Sequence, residues 1–96
     1  MGRLNADPLT TFPDGSRLLV STRYSKEAHF FCELYVAMPG DEGRLDLRAV
    51  SDHLEAATCL GAQEIAYGYA QRLYPGTAEG MKKPPYLIWQ GPTPHT

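Results

Sequence analysis

The chain reads as an α+β domain: an antiparallel meander of three to four strands packed on one long or broken α-helix, with a short C-terminal edge strand. Three observations predict it. A turn signal at residues 12–16 separates two apolar segments, a period of two runs through residues 17–38, and an alanine-spaced helical pattern follows.

The first element is a hairpin. In Phe12-Pro13-Asp14-Gly15-Ser16 the proline presets φ for the first turn position, the aspartate can bond back to the backbone, and glycine accepts positive φ. Leu9, Thr10 and Thr11 lie before it and Leu18, Leu19 and Val20 after it. This arrangement predicts a three-residue loop with Gly15 in the left-handed position.

Next comes RLLVSTRYSKEAHFFCELYVAM. Even positions carry Leu18, Val20, Thr22 and Tyr24, then Phe30, Cys32, Leu34, Val36 and Met38. Odd positions carry Arg17, Ser21 and Arg23, then His29, Glu33 and Ala37, with Leu19, Phe31 and Tyr35 among them. The alternation predicts two strands with the even side chains facing a core. For even to face even across an antiparallel pair, the loop must hold an odd number of residues, which residues 25–27 or 24–28 would satisfy.

Pro39-Gly40 and Asp41-Glu42-Gly43 end the next strand with two turn signals. Residues 44–50 fit two templates: Leu45, Leu47 and Ala49 alternate as in a strand, whereas Leu47, Val50, Leu54 and Ala57 share a helix face. Beyond them the pattern is helical. Asp52 and Glu55 have capping-box spacing, Ala62, Ala66 and Ala70 leave a flat side for a sheet, and Gly61 is a candidate break. Pro75-Gly76 stops the helix. After a loop, Pro84-Pro85 favours extended backbone for Tyr86, Leu87, Ile88 and Trp89, read as a strand added at a sheet edge rather than an exposed sticker. Leu87 and Trp89 then point one way, Tyr86 and Ile88 the other. Residues 1–8 and 91–96 are expected to be flexible ends of one domain spanning 1–96.

Size and composition bound the function. With 96 residues, 43% hydrophobic and 21% charged, the chain has enough apolar material for one core and resembles ordinary globular proteins. Its net charge of -2 offers no overall attraction to phosphate backbones or anionic lipid. No apolar run approaches a membrane span and no basic-then-apolar leader opens the sequence, so the expected place is the cytoplasm. Cys32 and Cys59, without a CxxC, are expected to be buried reduced thiols.

Chemistry finds little support. His29, His53 and His95 have no His or Cys at zinc-ligand helical spacing, and Cys32 lies three residues from His29, on the opposite face of a strand. Ser51-Asp52-His53 supplies three triad residue types, but neighbours on a helix point about 100° apart and form no relay. Gly40 and Gly43 flank two carboxylates, which would repel a phosphate. The reading is therefore non-enzymatic, with no catalytic residue, no metal and no cofactor.

Two binding signals remain. The outer face of the central strands gathers Arg17, Arg23, His29, Phe31, Glu33 and Tyr35, residue types enriched where proteins meet proteins or stack single-stranded bases. The candidate binding residues are Arg17, Arg23, Phe31 and Tyr35, with Trp89 of the terminal run. Ala57 followed by Gly61 resembles the turn of a helix-turn-helix unit, although Tyr67 stands where that pattern has a branched aliphatic residue. The expected function is a protein-binding or regulatory module acting on another protein or on a second copy of itself. A nucleic-acid-binding domain is the competing class, with Glu33 and the negative charge against it.

Overall fold

Phe12 and Ser16 close the first hairpin in the computed structural model, which describes residues 8–24, 29–39 and 45–90. Phe12 N–H donates to Ser16 O at 2.8 Å and Gly15 N–H to Phe12 O at 2.9 Å, leaving residues 13–15 as the predicted three-residue loop. The Asp14 carboxylate accepts from Ser16 N–H at 2.9 Å and Ser16 Oγ at 2.6 Å, and Gly15 sits at φ 91°. The hairpin joins β1 (Pro8–Thr11) to β2 (Arg17–Tyr24). Pro8, expected in a flexible end, is the first residue of β1.

β3 (Phe30–Pro39) pairs antiparallel with β2, placing Leu18 opposite Val36, Val20 opposite Leu34 and Thr22 opposite Cys32. Even faces even, as the alternation requires. Tyr24 pairs with Phe30, so the connection has an odd number of residues, 25–29, displaced from both loops expected from sequence. Residues 25–28 of that loop, the turn signals at 40–43 and the ends at 1–7 and 91–96 lie outside the described residues.

The ambiguous stretch is a strand, β4 (Leu45–Ala49), against residues 35–39 of β3. The expected helix start at Asp52 is not found. Leu54–Ala56 form β5, antiparallel to residues 30–32 of β3 on the same edge as β4. Unpaired groups on the edge of β3 outweigh a local capping pattern here. Val50 N–H reaches Leu34 O at 2.9 Å, Leu34 N–H reaches Ser51 Oγ at 2.9 Å, and residues 51–53 bulge outward before pairing resumes.

Among the described residues the one α-helix, α1 (Cys59–Leu73), is capped by Thr58, whose Oγ1 accepts the Gly61 N–H at 3.0 Å. Gly61 therefore belongs to the capped first turn and breaks nothing. Ala62, Ala66 and Ala70 are fully buried and let the helix lie close on the even face of the sheet. A 3-10 helix, Pro75–Gly80, follows the predicted stop. The core comprises Leu9, Leu18, Val20, Cys32 and Leu34 from the sheet, the three alanines, Met81 and Tyr86. Each fully buried Leu or Val contributes about 1.5–3 kcal/mol of transfer free energy. Among the described residues no helix is long and apolar enough to cross a membrane, and both cysteines are free.

Candidate functional site

Residues 81–90 carry no regular secondary structure, with a bend at Pro84, so the expected strand over Tyr86 to Trp89 is not formed. They are held at three points. Lys82 N–H donates to Leu9 O at 2.8 Å on β1, and Thr22 N–H donates to Trp89 O at 2.7 Å on β2. Between these, the Gln63 side chain of α1 bonds Tyr86. The segment thus passes from the edge of β1 to the part of β2 that β1 does not cover.

Tyr86 is buried in the core, and its hydroxyl donates to Lys82 O at 2.6 Å. Burial pushes its phenol pKa up, with Tyr67 and Cys32 adding in the same direction. Trp89 is half-buried, its ring edge-on to Tyr35 with centroids 5.5 Å apart. Leu87 and Ile88, between these two anchors, are 52% and 56% exposed. The terminal run is therefore both things at once: core and latch at its ends, apolar surface in its middle.

The odd face of the sheet continues from Trp89. Tyr35 is buried beneath it and donates its hydroxyl to Glu33 Oε1 at 3.0 Å. Desolvation, then the bond and charge of Glu33, raise the Tyr35 phenol pKa. Glu33 Oε2 lies 2.9 Å from His53 Nε2, and the His53 ring stacks on Phe31 with centroids 4.5 Å apart. His53 reaches this position from the bulge at 51–53, not from a helical turn. A second pair, His29 Nε2 and Glu55 Oε1 at 3.2 Å, ties the start of β3 to β5.

The expected binding residues are only partly brought together. Arg23 and Phe31 are cross-strand partners, and Tyr35 meets Trp89. Arg23 Nε donates to Gln90 O, so this guanidinium helps fasten the terminal segment. Arg17 stands at the other end of β2, about 20 Å from Arg23 by strand rise. Residue type and spacing do not reveal the role of Gln63 as the partner of Tyr86, since glutamine is usually a surface residue, nor the joint exposure of Leu87 and Ile88, which depends on anchors elsewhere.

Ser51 Oγ accepts from Leu34 N–H and donates to Asp52 O at 3.0 Å, so it is committed to main chain. Cys32 lies on the other face, where burial pushes its thiol up to about 11. Among the described residues no three His, Cys, Asp or Glu side chains gather as metal ligands. An open cleft of about 500 Å³ is lined, among the described residues, by Thr10, Pro75, Gly76, Thr77, Glu79 and Gly80, of which Glu79 alone is ionisable. Ala57 to Gly61 connects β5 to α1, a strand to a helix, and so lacks the first helix of a helix-turn-helix unit.

No known family model, no curated protein and no solved structure matches this chain.

Proposed function

We propose that this chain is a non-enzymatic, cytoplasmic protein-binding module whose contact residues are Leu87 and Ile88, with Trp89 and Phe31 at their margin. The observation that carries the reading is the exposure of Leu87 and Ile88 between two fixed neighbours, Tyr86 and Trp89. Apolar side chains held outward by a fixed backbone lose little conformational freedom on binding, so more of their burial is available as affinity. The half-exposed indole beside them is the residue type most enriched at the energetic centre of interfaces. Two free thiols fit a reducing compartment.

The test is reconstitution with a partner captured from native lysate and then purified. Leu87→Asp/Ile88→Asp abolishes the defined complex, whereas Leu73→Asp, at another exposed apolar position, leaves it intact. Equal binding by both variants would sink the proposal. A nucleic-acid partner has less support, because Arg23 is engaged with Gln90 O and the Glu33 carboxylate occupies the middle of the face. A salt-dependent gel shift lost in Arg17→Ala/Arg23→Ala would restore that reading.

A further inference from the structure

The opposite edge of the sheet, formed by β4, carries a pattern that is complementary to itself. Val50 N–H points at Leu34 O, so even-numbered residues of this edge direct their main-chain groups toward β3. By alternation Leu45, Leu47 and Ala49 direct theirs outward. Among the described residues β4 is terminal in the strand order, with no strand pairing those outward groups. Asp46 and Arg48 flank Leu47, both exposed and both on the side of the sheet that carries α1. Neither joins an ion pair among the described residues.

We propose that β4 pairs antiparallel with β4 of a second copy of this chain, about a two-fold axis through Leu47. Two independent features select the same register. The first is main-chain: Leu47 opposite the partner's Leu47, and Leu45 opposite the partner's Ala49, are the hydrogen-bonding pairs that the outward groups demand. The second is charge. This register sets Asp46 directly opposite the partner's Arg48, at the closer, non-hydrogen-bonded kind of pair, and symmetry repeats the contact. Sliding the strands by one pair in either direction sets Asp46 against the partner's Asp46, or Arg48 against the partner's Arg48. Charged edges ordinarily deter pairing because most registers oppose like charges. Of these three registers only the first is attractive, so charge favours the same pairing of two copies that the main chain allows.

The axis runs perpendicular to the sheet and joins two sheets into one. It keeps the odd faces of both copies on the same side and leaves Leu87 and Ile88 at the two far edges. A dimer of this form presents two apolar contact sites at once, which raises avidity for a repeated partner. The interface does not depend on the binding role proposed for Leu87 and Ile88.

Sedimentation velocity of the full chain over a concentration series tests the pairing. Wild type is a dimer. Asp46→Arg alone or Arg48→Asp alone opposes like charges twice and raises the dissociation constant on the order of tenfold to a hundredfold. The double variant Asp46→Arg/Arg48→Asp restores the wild-type constant, with melting temperatures confirming that all four proteins are folded. A monomeric wild type, a dimer indifferent to the single reversals, or a double variant that stays dissociated overturns the proposal.

Discussion

Gln63 bonds both main-chain polar groups of Tyr86: its Oε1 accepts the Tyr86 N–H at 2.9 Å, and its Nε2 donates to Tyr86 O at 3.3 Å. A neighbouring strand would offer the same donor–acceptor pair, but here a helix side chain supplies it. The remaining Nε2 hydrogen goes to Thr22 Oγ1 at 3.1 Å, and Thr22 Oγ1 lies 3.6 Å from Cys32 Sγ. Helix, sheet and terminal segment therefore share one buried polar junction, which no main-chain ladder could supply because residues 84–90 lie apart from the sheet at Tyr86.

Removing this side chain leaves two buried main-chain groups without partners. Each stranded group costs about 1–3 kcal/mol, so Gln63→Ala is expected to lower unfolding free energy by about 2–6 kcal/mol. The loss should appear first in the terminal segment. Trp89, the single tryptophan, then reports it as a red-shifted emission before global unfolding in a urea titration. Coincident transitions in wild type and variant would show that Gln63 does not hold the segment separately.

Parity was the legible part of this fold. Leu18, Val20, Thr22, Cys32 and Leu34 alternate in the sequence and all are buried beneath α1. The odd face was less legible, because alternation detects one covered side and cannot see a second. Leu19, Ser21, Tyr35 and Ala37 are also buried. β5 was hidden for another reason: Asp52 and Glu55 imitate a helix cap locally, whereas Leu54–Ala56 are drawn into extended form by partners more than twenty residues earlier in β3. Of the candidate site, the aromatic residues were visible as types, but their grouping rests on long-range contacts such as Trp89 O with Thr22 N–H.

Gly15 isolates a backbone cost. At φ 91° it has no atom within 4 Å of an added Cβ, so Gly15→Ala meets no clash and loses only conformational energy. The expected destabilisation is about 1–2 kcal/mol by chemical denaturation. Gly15→Asn should lose less, since asparagine tolerates the left-handed region better. Equal losses for the two would argue against a backbone origin.

Thr58 and Gly61 are coupled through the helix cap. A Cβ on Gly61 would lie 2.8 Å from Thr58 Oγ1 and 3.3 Å from Ala56 Cβ, so the capping hydroxyl must move. Thr58→Ala alone is expected to cost about 1 kcal/mol. Gly61→Ala alone should change little, because about 1 kcal/mol of helix propensity gained offsets the cap lost. In the Thr58→Ala background the same change should stabilise by up to about 1 kcal/mol, as there is no cap left to break. Thermal melts of the four proteins measure the coupling, and additive effects would show the steric conflict to be relieved elsewhere.

Cys32 gives the fold an alkaline limit. Desolvation raises its thiol from an ordinary 9.0 to about 11, with the nearby Thr22 hydroxyl pulling weakly the other way. In the unfolded chain the thiol ionises near 9, while the folded state keeps the proton until about 11. Across that window the folded state binds more protons, so unfolding free energy falls as pH rises. Stability from this source is fully present below pH 9.0 and declines by about 2–3 kcal/mol toward pH 11. Buried Tyr86 and Tyr35 and part-buried Tyr74, whose phenols are also raised by desolvation, steepen the fall above pH 10.0 with the same sign. Urea midpoints measured across this range should drop for wild type and flatten at the lower end in Cys32→Ala, whose cavity lowers stability without a thiol to titrate. Thiol labelling at about pH 8 offers an independent check: the half-buried Cys59 should react in the native protein, and Cys32 only at the rate of opening. Prompt labelling of both cysteines, or a wild-type slope no steeper than that of Cys32→Ala, would show that the thiol does not keep its proton in the folded core.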